Sequence, residues 1–159
     1  MAKRYASKTT VPIAKTRGEI DRLLRQWGAD AIQWTDEFGE DRSTLRFVWL
    51  HEGTKYMARF SIRLAPIDPD DVTDLRTGNI SPTKLQKAQD ARGKQEHRVL
   101  QLWLKAALNA VDAGIIDAAT VFLPFLEDGT GRTVAEIAVP RLQSLPGGRA
   151  VGLLETGTK

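Results

Sequence analysis

Arg46 and Arg59 come nearest to a binding chemistry in this chain of 159 residues. If the stretches 44–51 and 54–64 pair around Glu52-Gly53, the two guanidinium groups fall on one rung, with Lys55 and Arg63 on the same face. Like charges directly opposite one another in a sheet repel, so the rung needs an anion. A nucleic-acid backbone would supply it, and Val48 and Met57 would add apolar contact. The alternatives are internal: carboxylates of Asp36, Glu37 or Asp41, or a long helix laid over the face. Lys3, Arg4 and Lys8, with Lys15 and no acid among residues 1–15, form a basic arm. It would add salt-dependent contact to phosphates, or simply aid solubility. A second basic face, Lys84, Lys87, Arg92, Lys94, Arg98 and Lys105, is diluted by Asp90 and Glu96 and reads as a solvated helix surface.

Catalytic chemistry is poorly provided for. Asp36, Glu37, Glu40 and Asp41, or the later Asp68, Asp70, Asp71 and Asp74, offer oxygen ligands that with Arg46 would suit a metal-dependent nuclease, the leading enzymatic alternative. They lie in expected loops without a partnered histidine: His51 sits at a hairpin end, and His97 stands alone on a helix. There is no HExxH, P-loop, GxSxG or dinucleotide glycine signature. The absence of cysteine excludes disulfides, thiolate zinc sites and cysteine nucleophiles. The expectation is a protein that is not an enzyme, with no cofactor and no metal. The DGTGRT turn (128–133) sets Arg132 ahead of a helix N-terminus, where an anion can bind; turn and cap geometry explain it equally.

These residues need elements to hold them. Thr16 and Glu19 have capping-box spacing, and Ile20, Leu23, Leu24 and Trp27 follow at helical intervals, so a first helix is expected over 17–27, closed by Gly28. Residues 31–35 alternate as a strand. In the hairpin, Trp49 should face Tyr56, Phe47 face Ala58 and Leu45 face Phe60, which makes one face core. Residues 65–81 hold two prolines and four aspartates and read as an acidic linker loop. Ser81-Pro82 would start a long helix reaching to 113, loosened at Gly93. Asp117 should cap a short helix limited by Pro124. Thr133 and Glu136 form a second capping box for a last helix that Pro140 stops.

The stretch 98–139 organises the rest. Val99, Leu100, Trp103, Leu104, Ala107, Leu108, Ala110 and Val111 make a wide apolar arc, and Gly114 ends it. Its KAALNAVDAGI (105–115), FLPFL (122–126) and DGTGRTVAEI (128–137) resemble an uncharacterised family of small phage- and prophage-encoded proteins. That family shares a Trp, Lys-Ala, Gly-Ile, Phe-Leu, Gly-Arg-Thr-Val ending. The resemblance implies a genomic setting and no mechanism. The turn before Arg132 is longer here than in the family, and residues 66–97 do not match.

The reading is therefore an α+β fold: a three-stranded antiparallel sheet with an N-terminal helix and a long helix on one face, then a short helical unit. A basic flexible arm (1–15) precedes a single domain (16–143), divided into helix plus strands (16–64), acidic linker (65–81) and helical part (82–143). A flexible tail (144–159) follows. The helix–strands–helix order is similar to that of the double-stranded-RNA-binding domain, although the lysine cluster of that domain's second helix is not evident. Net charge is +3, which permits nucleic-acid contact without demanding it. No run approaches the roughly 18 apolar residues of a membrane helix, and no secretory signal is evident, so a cytoplasmic protein without membrane contact is expected. The function expected is a nucleic-acid-binding (DNA or RNA) accessory protein of a phage or mobile element. The alternative is a protein–protein effector that inhibits a host or defence enzyme; a homodimer through the long helix is also compatible.

Overall fold

Alternating apolar residues and a two-residue turn build the sheet. Strands β1 (Ala31–Glu37), β2 (Arg42–His51) and β3 (Thr54–Arg63) pair antiparallel in the order β1-β2-β3. Glu52 and Gly53 both take positive φ, 48° and 77°, the mirror-image turn whose twist suits a hairpin. It fixes the expected register: Trp49 opposite Tyr56, Phe47 opposite Ala58, Leu45 opposite Phe60, and Arg46 opposite Arg59. The computed structural model describes residues 5, 6, 9–63, 67–74 and 78–143.

The helices are α1 (Ile13–Trp27), the single turn α2 (Pro69–Val72), α3 (Pro82–Asp112), α4 (Ala118–Phe122) and α5 (Val134–Gln143). The α+β architecture is as expected, with α1 and α3 covering the aromatic face. Ile20 and Leu24 of α1, Leu45 and Phe47 of β2, and Leu104 and Leu108 of α3 meet in one buried cluster. Phe122 closes its end, edge-on to Phe47 at 5.3 Å and to Trp49 at 5.5 Å. Such edge-to-face contacts add to the burial of large rings.

Several elements differ from the sequence expectation, each for a physical reason. α1 begins at Ile13, behind Pro12, and so takes in the end of the expected arm. The Thr16–Glu19 box does not form. Thr16 is buried inside the helix, its hydroxyl 3.5 Å from the Pro12 carbonyl, and the Glu19 carboxylate instead accepts from Arg98 at 2.6 Å and Gln101 at 2.7 Å on α3. The acidic linker is not simply a loop: Asp68 caps α2 through the Asp70 amide, and Val72 is buried. α3 runs unbroken past Gly93, and Ser81 stands at its N-cap without a side-chain cap bond. The Thr133–Glu136 box does form, with reciprocal bonds of 3.2 and 2.9 Å. Yet Pro140 does not end α5, which continues to Gln143. Proline deprives the Glu136 carbonyl of its helical donor, and the Arg132 guanidinium donates there at 3.0 Å in its place. The expected tail, 144–159, lies outside the described residues.

Candidate functional site

The arginine rung has an internal anion. Leu126 bridges to Ala58 on the outer edge of β3, and the Glu127 amide donates to the Met57 carbonyl at 2.9 Å. This lays the Glu127 side chain, 1 % exposed, across the rung. Arg46 Nε reaches its carboxylate at 3.1 Å, and Arg59 Nε lies 2.9 Å from Oε1. Arg59 Nη2 also donates to Glu136 at 2.5 Å. The Thr133 amide, with Arg59 beside it, holds the Glu136 carboxyl below the usual carboxylate range. Arg42 pairs with Glu37 and Glu40 on the same face. Arg46 and Arg59 face each other as expected, and the compensation is internal, but it comes from Glu127, 81 positions beyond Arg46, rather than from Asp36, Glu37 or Asp41. Lys55 and Arg63 remain exposed at the two ends of β3. Lys3, Arg4 and Lys8 lie outside the described residues.

A second polar cluster was not legible beforehand. Arg17 of α1 donates twice to Asp36, at 2.9 and 2.5 Å, and to Ser43 Oγ at 2.9 Å. Its Nε donates to His97 Nε2 at 3.1 Å. The His97 Nδ1–H then points to the Gly93 carbonyl at 2.7 Å, because a guanidinium leaves Nε2 only the acceptor role. His97 is buried, stacked on Trp34 at 5.7 Å, and burial pushes its pKa down. The Arg17 hydrogen bonds hold Asp36 at about 2. Serine, histidine and aspartate meet here without forming a nucleophile relay. Arg17 occupies the histidine nitrogen, and Ser43 Oγ donates to Asp36 at 2.6 Å. The cluster locks α1, β1 and α3 together. Beside it lies a cleft of about 300 Å³, rimmed by Phe38, 90 % exposed. Among the described residues no group of three or more histidines and acids is placed to hold a metal ion.

The third feature is apolar. The arc of α3 is wider than the sheet it covers: Leu104, Ala107 and Leu108 are buried, whereas Val99 is 41 % and Trp103 37 % exposed. The Trp103 ring leans on Phe60 at 5.3 Å and Phe125 at 5.2 Å. Between this shoulder and β3 runs a groove of about 490 Å³, its floor made by Phe60 and Ile62 and its lips by Ser61, Arg63 and Glu96. Sequence periodicity marked these α3 residues as core; the arc's excess width over one sheet face was the signal that part of it stays open.

No protein-family model matches the chain, and no curated protein or solved structure is significantly similar to it. No helix among the described residues is long and apolar enough to cross a membrane.

Proposed function

We propose that this protein is a non-catalytic docking module that binds another protein through the groove between β3 and α3. In genomic setting it would be an accessory protein of a phage or mobile element, which rests on the likeness of residues 98–139. The observation that carries the docking reading is Trp103. A large aromatic side chain left more than one-third exposed in an apolar groove is the type of anchor that dominates protein interfaces. The internal neutralisation of Arg46 and Arg59 by Glu127 and Glu136 removes the strongest argument for a phosphate ligand at the rung.

The test is a photo-crosslinking residue at position 99, compared with one at Gln26 on the far side of α1. Adducts with a partner that form at position 99, persist in high salt and are absent at position 26 support the reading. Equal labelling at both positions, or none, sinks it.

Nucleic-acid binding is the second reading, favoured by the exposed Lys55 and Arg63 at either end of β3. It expects affinity for labelled DNA or RNA to fall steeply with salt and to rise in Glu127→Gln, which would release the rung. Affinity unchanged by Glu127→Gln argues against that face.

A further inference from the structure

One short segment of this chain already extends the sheet beyond β3. The two-residue turn makes His51 and Thr54 a hydrogen-bonded pair, so the even-numbered residues of β3 turn their backbone groups to β2. The odd-numbered ones turn theirs outward, as the Met57 carbonyl shows by accepting from Glu127. Among the described residues this outer edge is bridged only at Ala58. Beyond Arg59, which flanks that bridge, Ser61 and Arg63 present outward N–H and C=O groups, and both line the groove.

The docked segment also displays a recognition pattern. Leu126, opposite Ala58, sits on the core side, and Glu127 reaches the arginines on the other. The same two-sidedness continues along the edge. On the core side lie Phe60, Ile62, Val99 and Trp103; on the other side Arg63 is exposed and faces Arg42, whose carboxylates are its own neighbours Glu37 and Glu40. Resting on the docking reading above, we propose that the groove takes an extended peptide of alternating apolar and acidic residues. The peptide adds as a strand to β3 where Leu126–Glu127 leaves off. Its backbone pairs with Ser61 and Arg63, its apolar side chains fill the groove against Trp103, and a carboxylate meets Arg63. Main-chain bonds supply affinity and alternate side chains supply selectivity in this mode of recognition.

The probe is a labelled seven-residue peptide of alternating leucine and glutamate, read by fluorescence anisotropy against the full chain. Two further versions carry N-methyl groups, one on the leucine nitrogens and one on the glutamate nitrogens. In an added strand only one of these sets faces β3. One version should therefore lose about tenfold or more in affinity while the other keeps most of it. Val99→Asp, at an exposed site, should abolish binding without lowering the melting temperature. Arg63→Glu should weaken the glutamate peptide and favour one carrying lysine in place of glutamate. If both methylated versions bind as well as the parent, strand addition is wrong, while sensitivity to Val99→Asp keeps groove docking intact. If no peptide binds but position 99 still crosslinks a partner, strand addition is again overturned alone. If neither occurs, both readings fall.

Discussion

Glu127 decides the character of the sheet's second face. Removing one partner from a buried ion pair leaves an uncompensated charge and costs more than the pair itself contributes. Here the two arginine side chains keep some solvent, 31 % exposed for Arg46 and 13 % for Arg59, so the loss is smaller than for a fully buried pair. Glu127→Gln, which preserves shape, should lower the unfolding free energy by about 2 kcal/mol in urea titration; a loss below about 0.5 kcal/mol would show the rung to be adequately solvated. The Arg17 cluster gives a pH signature instead. His97 is held neutral, with its folded pKa below the 6.5 of the free group, so the unfolded chain binds the proton more readily. Stability is then whole above about 6.5 and declines as pH falls through that value. Asp36, about 2 when folded against 3.8 unfolded, contributes stability that is present above 3.8 and lost as pH falls towards 2. Urea midpoints should drop in these two stages, and His97→Gln should flatten the first while leaving the second. A single acid transition unaltered by His97→Gln would rule out the cluster as its source.

At the scale of elements, the hairpin is limited by its turn. Glu52 sits at φ 48°, a left-handed conformation costly for most side chains and well suited to asparagine. Glu52→Asn should stabilise the protein by about 0.5 kcal/mol, read as a higher urea midpoint with unchanged slope; a lower midpoint would mean the Glu52 carboxylate contributes more than its strain. The hairpin was legible in the sequence because two local signals, alternation and turn length, had to agree on one register, and they do. The rung of Arg46 and Arg59 was legible for the same reason, but its partner was not: nothing near the strands announces Glu127. Local signals failed where a distant group competed for the same atoms. Glu19 had capping-box spacing but found Arg98 and Gln101 on another helix. Pro140 had the mark of a helix end, but Arg132 satisfies the carbonyl it orphans. Trp103 had core periodicity, yet the sheet is too narrow to cover it.

At the scale of the whole molecule, two parts differ in how they are held. Sheet, α1 and α3 share a continuous buried core, whereas α5 buries no residue completely. Its unit is attached through the Leu126 bridge, the carboxylates of Glu127 and Glu136, and Phe125 stacked on Phe60 at 4.3 Å. An element attached by so few links, with no fully buried residue of its own, opens at lower free energy than the core it leaves. Native-state hydrogen exchange should therefore find α5 amides less protected than those of β2. The two kinds of opening also respond differently to substitution. Ile20→Val, deep in the core, should cost about 1 kcal/mol of global stability and lower the protection of β2 by that amount. It should leave α5 unaltered, because the core stays intact when α5 detaches. Glu127→Gln should lower protection of α5 and β2 by equal amounts, because its ion pairs are lost in both openings. If instead α5 follows β2 in Ile20→Val, the molecule unfolds as one cooperative unit, and the basic sheet face is uncovered only by global unfolding.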